Sequence, residues 1–486
     1  MLNKYILENP EFIKHFRISF RKQKVISITS LYLVALFIFY FIMYISFSPD
    51  SETDYEKFFK TLYVMNMGFL YMGHFYIGSY LISNSLAVEK DKGTFDFLRM
   101  TTIERKVIAV GKLLGGSVFV TYLICLTIPF IILFAFLAKI EISHLLMVLV
   151  NLFVFGLLFH SMSLFFAVLS PKVTSSNSLS IMAPIFYSMF TLSLPGKVSN
   201  PFYSLFIPLS TRLAREENLS FYSVYLPTYL LNALVMFYLF YWLMKGVIRK
   251  IDSENNHIFT KKQIIAIYAG AQFLFTGFAI NSMLKGDTGV LVAYYFLSLI
   301  FNTFICLIIN PTKEDSIIYI NRTKDSLDIW DSKAPVFTLL GILSLISLII
   351  GLLYNLVILA FSGKLPDFGL GIYLALVTAL FSFIYTQIFY LCNLTFNKTS
   401  NVIAITTIVL STFIPVPLNL FMLGTINSLS VDLFLFNPFS IFFRAGKIGF
   451  LNLGILTQLI ILIIVSLILN VLIMSKREYI TKKFKL

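Results

Sequence analysis

Twelve stretches of apolar residues recur along the chain, and none contains a Lys, Arg, Asp or Glu. They run over Val25–Phe47, Thr61–Leu86, Leu113–Ala138, Leu145–Leu169, Ser176–Leu194 and Tyr222–Leu243. A second set covers Gln263–Leu284, Gly289–Ile309, Val336–Phe361, Leu370–Leu394, Val402–Gly424 and Leu453–Met474. A helix needs about 20 apolar residues to cross the hydrocarbon core of a bilayer. Each stretch meets that length or nearly so. The apolar residues do not alternate with polar ones at period two, so the pattern excludes a transmembrane barrel. Without water, the backbone must satisfy itself, and helices do so. The expected fold is an all-α, polytopic integral membrane protein with about twelve transmembrane helices.

Composition agrees. Hydrophobic residues are 58% and charged residues 13% of 486 residues, and mean hydropathy is +0.85. A soluble chain is about a quarter charged. A cytosolic enzyme, a disulfide-rich secreted domain and a disordered tail are therefore excluded. Cys125, Cys306 and Cys392 all fall inside apolar stretches and read as small packing residues. The first 24 residues are charged and show no cleavable signal.

The formal charge of +14 could suggest nucleic acid. Sorting by side removes that reading. With twelve spans both termini share a side, and the connections on it carry 28 of the 38 Lys and Arg. The positive-inside rule then places both termini in the cytoplasm of a cell (cytoplasmic or inner) membrane. Acidic residues divide 14 to 10 between the sides, so the whole excess lies on the inner face. The bilayer accounts for it, and no nucleic-acid partner is needed.

The loops follow one plan twice. In each set of six, the longest inner connection joins the second and third spans: Ala87–Lys112, then Asn310–Pro335. The fifth and sixth spans are joined by a long outer loop in both sets. One outer loop carries Asn200, Pro201 and Phe202, and the other repeats the word as Asn437, Pro438 and Phe439. This points to a 6+6 parallel repeat. The expected divisions are an interfacial segment at 1–24, a first half at 25–250 and a more divergent half at 251–486.

Residues 86–116 form an inner elbow between two spans. Gly93 breaks the exit from the second span, and Thr94 is placed to cap a short helix after it. Phe95, Phe97 and Leu98 give that helix an apolar side, while Asp96 and Arg99 give it a polar one. Thr101 and Glu104 fit a capping box, which starts another helix near Thr102. Near the start of the chain, Asn9 and Pro10 read as the cap and first position of a helix. Phe12, Ile13, Phe16 and Phe20 line one side of it, with Lys14, Arg17, Arg21 and Lys22 around them. This reads as a helix lying on the inner leaflet.

These two segments resemble the permease subunits of ATP-binding-cassette (ABC) transporters of the type-2 exporter class. The matching residues in the elbow are Glu89, Lys90, Gly93, Thr94, Leu98, Thr101, Gly111, Lys112, Leu113 and Leu114, with Thr102 where that family often has Pro. The resemblance is clear over residues 9–250. It implies a coupling helix that docks into an ATPase subunit, involving Arg99 and Arg105 with the residues above. It also implies an interfacial elbow helix (Pro10, Phe12, Phe16, Arg17, Phe20, Arg21) and re-entrant outer loops around the two Asn-Pro-Phe words. The partner expected is an ABC-type ATP-binding subunit in two copies, which carries ATP and Mg.

No phosphate-binding loop is present, since every Gly-Lys is followed by Leu, Val or Ile rather than Ser or Thr. No cofactor, metal or catalytic residue is expected on this chain. His74 and His160 read as hydrogen-bonded interior histidines. The readings weighed against a permease are a twelve-span secondary carrier and a membrane enzyme acting on lipid-linked substrates. The first would need carboxylates inside the membrane. The second would need essential groups in outer loops, such as Arg212, Arg215, Glu216 and Glu217.

Overall fold

In a computed structural model, the chain is described over residues 8–47, 52–170, 172–193, 218–253, 257–285, 289–309, 337–362, 368–396, 403–404, 406–408 and 453–483. Helices dominate these residues. A short α1 (Pro10–Ser19) precedes α2 (Lys22–Ile45). The second apolar stretch is one long rod: α3 (Glu52–Tyr71), a π-helical segment (Met72–Gly78) and α4 (Ser79–Asp91). Then come α5 (Thr94–Met100), α6 (Arg105–Leu137), α7 (Ile142–Leu169) and α8 (Val173–Ser193). A hairpin, β1 (Asn218–Phe221) and β2 (Val224–Pro227), precedes α9 (Thr228–Asp252). The remainder holds α10 (Lys261–Leu284), α11 (Gly289–Ile309), α12 (Phe337–Ser362), α13 (Phe368–Thr395) and α14 (Leu453–Lys483).

Seven of the described helices are long and apolar enough to cross a membrane: α2, α6, α7, α10, α12, α13 and α14. The protein is an all-α polytopic membrane protein. Its lipid-facing character shows in α2, where only Leu36 is buried and Phe37, Phe41 and Ile45 are exposed. Nearly all of the eleventh apolar stretch (402–424) lies outside the described residues.

One expectation needs correction here. The sixth span does not start at Tyr222, because residues 222–227 belong to the hairpin and the helix opens at Thr228. Tyr222 and Ser223 both sit at positive φ, the geometry a two-residue hairpin turn requires. Neither is Gly or Asn, so the usual signal is missing. The helix that carries the third apolar stretch opens ahead of it, close to the start expected near Thr102. α6 starts at Arg105 and takes Lys112 into its interior. At 33 residues it is about 50 Å long, well beyond the roughly 30 Å hydrocarbon core. Its first turns can therefore carry charge outside the lipid.

The chain divides into two units. The first comprises Met1–Leu219 with Tyr225–Ile258, and the second Ser220–Val224 with Phe259–Leu486. In the first, α1 packs on α6, α4 on α7 and α8, and α7 on α9. In the second, α13 is the centre, flanked by α11, α12 and α14. There the hairpin tip bonds to α10: Tyr222 N–H donates to the Gly277 carbonyl at 2.9 Å, and Ser223 Oγ donates to Asn281 Oδ1 at 2.9 Å.

Candidate functional site: an elbow latch and an exposed knob

The elbow begins as the sequence indicates. Asn9 caps α1, its Oδ1 accepting from the Glu11 and Phe12 amides, and Pro10 takes the first helical position. Asn9 also reaches across the fold, its Nδ2 donating to the Val107 carbonyl at 2.8 Å. Gly111 makes this approach possible, because a Cβ there would overlap Asn9 Oδ1. Gly115 does the same for His15, with a clash distance of 2.9 Å.

The face of α1 turned to the protein is polar. Glu11 is its buried residue. Phe16 and Ile18 are exposed; Arg17 and Arg21 are exposed beside them. Phe12 leans on Phe16 at 6.1 Å, Phe16 stacks on Phe20 at 4.4 Å, and Phe20 ends edge-on against Tyr122 of α6 at 5.2 Å. An apolar row with flanking arginines on the outer side suits a helix lying in the lipid interface.

Behind α1 lies a buried charge cluster. The Lys112 ammonium is wholly buried, 2.7 Å from Glu11 Oε2 and 2.5 Å from Glu89 Oε2. Lys14 donates to the other oxygen of Glu89 at 2.7 Å. Burial raises the cost of ionising Glu89, but Lys112 and Lys14 outweigh it and hold its carboxyl below the usual range. Burial also depresses Lys14, yet Glu89 holds it above its ordinary value. His15 is pushed down to about 4 by burial and by Lys112, so it is neutral at pH 7. Glu11, His15 and Glu89 lie close enough together to resemble a metal site. The Lys112 ammonium already contacts both carboxylates, so the cluster supplies its own cation.

The adjoining loop builds a knob. Gly93 adopts φ +71 and ends the rod, a conformation L side chains rarely take. Thr94 is not the cap of α5, as the spacing suggested; it is the first helical residue, and its hydroxyl donates back to the Glu89 carbonyl at 3.1 Å. The capping box is not formed either. Thr101 closes α5 by donating to the Leu98 carbonyl, while Glu104 makes no side-chain cap on α6. With only seven residues between Gly93 and Thr101, one threonine cannot end α5 and start α6 together.

Two cations pin this loop by capping the C-terminal ends of neighbouring helices, where carbonyls lack intrahelical donors. Lys90 donates to the Val168 and Ser170 carbonyls at the end of α7, at 2.9 and 2.8 Å. Arg99 donates to the Ile251 and Lys250 carbonyls at the end of α9, at 3.2 and 3.1 Å. Its guanidinium also pairs with Asp96 at 2.9 Å and lies over the Phe95 ring. Arg105 reaches Asp252 at 3.3 Å.

The apolar side of α5 is thereby divided, contrary to the reading from sequence. Phe95 is buried and Leu98 half-buried, whereas Phe97 is 72% and Met100 78% exposed. A helix of fewer than two turns gives too little periodicity to tell which aromatic faces out. So the residues expected to dock separate into two groups. Glu89, Lys90, Gly111 and Lys112 point inward and build the latch and its anchor. Gly93, Thr94, Leu98, Arg99, Thr101 and Arg105 shape and fasten the knob. Phe97 and Met100, absent from that set, form its outer surface.

The Asn-Pro-Phe words at 200–202 and 437–439, and the second long inner loop at 310–335, lie outside the described residues. No curated protein and no solved structure matches the chain. Residues 8–195, the segment that holds the elbow, the latch, the knob and α1 to α8, match the family described as ABC-2 type transporter, and this part of the chain is similar to the membrane domain of such transporters.

Proposed function

We propose that the chain is the permease subunit of an ATP-driven ABC exporter, with ATP and Mg bound on a separate ATP-binding chain present in two copies. The observation that carries this is the knob. A seven-residue helix is fastened at its C-terminal side by Arg99 and Arg105 contacts to α9 and at its start by Thr94 to the Glu89 carbonyl, yet presents Phe97 and Met100 to solvent. Two large exposed apolar side chains on a rigid mount are what a partner groove takes up. The similarity of residues 8–195 to ABC-2 transporter membrane domains supports the same reading.

Force on the knob would pass through Arg99 to the end of α9, through Lys90 to the end of α7, and through Glu89 and Lys112 to α6 and the elbow. Those contacts turn a push at one loop into a tilt of three helices. Both termini, the knob and the elbow then lie in the cytoplasm of the cell membrane, as the charge distribution indicates. The second unit is a fused second permease half, on the strength of the repeated loop plan.

The test is reconstitution with a phosphate-loop ATPase encoded beside this gene. Transport that requires ATP and that ATPase is the expected result. Transport driven by a proton or sodium gradient without it would favour a secondary carrier.

A further inference from the structure

Within the first unit, the π segment packs against α7 and Tyr63 of α3 approaches it, in a seam of buried polar groups. Tyr63, Tyr71 and His74 stand on one side, and His144, Asn151 and His160 on the other. All six are buried. Tyr63 Oη, Tyr71 Oη, His74 Nδ1, both ring nitrogens of His144 and both amide atoms of Asn151 have no hydrogen-bond partner. Two pairs are placed opposite one another. The rings of Tyr63 and His144 are 6.4 Å apart, and those of His74 and His160 are 4.6 Å apart. Asn151 lies between, on the α7 stripe that includes Phe155, whose ring meets Phe75.

A buried polar atom left unsatisfied carries the full cost of its lost hydration. Seven such atoms along one interface are too many for a dry seam. The groups are neutral and mix donors with acceptors, and no carboxylate, Lys or Arg is among them. That chemistry suits water, which satisfies buried polar groups by making about three hydrogen bonds.

The seam has a closed end. With its proton on Nε2, His160 donates to the His74 carbonyl at 3.0 Å. Each histidine also fills the space of a missing side chain on the other helix. A Cβ on Gly78 would lie 2.5 Å from His160 Nε2, and one on Gly156 would overlap His74 Nε2. The π segment Met72–Gly78 coincides with this crossing, and such segments often mark functional sites. Toward the other end, His144 follows Glu141 at the start of α7, away from the elbow.

We propose that the α3–α7 seam is a water-binding path that enters beside His144 and stops at the His74–His160 crossing. It would hydrate the interior of one permease half to mid-depth, independently of the docking knob.

The experiment is hydroxyl-radical footprinting by X-ray radiolysis on the full chain in lipid nanodiscs, read by mass spectrometry. Tyr63 and His144 should be oxidised within about ten-fold of the rate of exposed Tyr55, because bound water supplies radicals locally. Phe165, beyond the crossing, should stay at the rate of buried Tyr268, whose hydroxyl is hydrogen-bonded to Ser298. Tyr63 and His144 no faster than Tyr268 would overturn the proposal, and labelling of Phe165 as strong as that of Tyr63 would overturn the closed end. A second measurement is independent. Asn151→Cys should react with a small water-soluble methanethiosulfonate reagent as Tyr55→Cys does, and full protection of position 151 would count against the path.

Discussion

The latch and the knob are cut from one run of residues, Glu89 to Lys112, and they use the same residue types in opposite ways. In the latch, Lys112 is fully buried between Glu11 and Glu89, and every charge faces another. In the knob, Arg99 spends its charge on two carbonyls of α9 and leaves two apolar side chains outside. Charge density near a docking loop is therefore a poor guide to the docking surface. Here the cations hold the scaffold together, and the exposed apolar residues are what a partner would meet.

The largest effect should come from breaking the latch. Lys112→Met takes the buried cation from Glu11 and Glu89 and leaves them only the half-exposed Lys14, which should cost about 3 kcal/mol, read as a lowered unfolding temperature in detergent. Adding Glu11→Gln and Glu89→Gln should recover much of the loss. If Lys112→Met is neutral, the latch does not hold the elbow.

Next is the clamp. Arg99→Leu strands two carbonyls at the end of α9 and should cost about 1–3 kcal/mol, with partner-stimulated ATPase activity falling while binding persists. Stimulated activity at the wild-type level would show that force does not pass through α9. Gly93→Ala should cost about 1 kcal/mol, since alanine must adopt φ +71. An unchanged unfolding temperature would contradict that turn geometry.

The smallest effect is conditional on pH. His15 titrates at about 4 when folded, against 6.5 for an ordinary histidine. Between those values the unfolded chain binds more protons, so stability falls as pH falls through that window. Glu89 acts in the same direction at lower pH, losing its stabilising ion pairs as it is protonated. His15→Phe should flatten the dependence between pH 6.5 and about 4; an unchanged slope would place the titration elsewhere.

Much of this was legible in the sequence. The uncharged stretches identify helices in lipid, Asn9-Pro10 marks the elbow, and Gly93 marks the turn. Each is a local rule with one outcome. What was not legible depends on distant partners. Lys112 reads as a charge in the first turns of a helix that starts near Thr102, but nothing in the sequence says that α1 brings Glu11 beside it. Thr101 satisfies a capping pattern, but its hydroxyl goes to Leu98. Phe97 and Phe95 are two residues apart on a helix too short to show a face, so only the packing of α5 decides which is exposed. The Tyr222–Ser223 turn lacks the glycine or asparagine that announces a hairpin.

The central claim is that Phe97 and Met100 are the partner-facing surface. The most direct measurement is co-purification of the ATPase with the chain carrying Phe97→Asp and Met100→Asp, beside the wild type. Both side chains are mostly exposed, so the variant should unfold at the wild-type temperature. Recovery of the ATPase should drop by about ten-fold or more, as expected when anchor residues of an interface are lost. Wild-type recovery of the ATPase with the doubly charged knob would contradict the account.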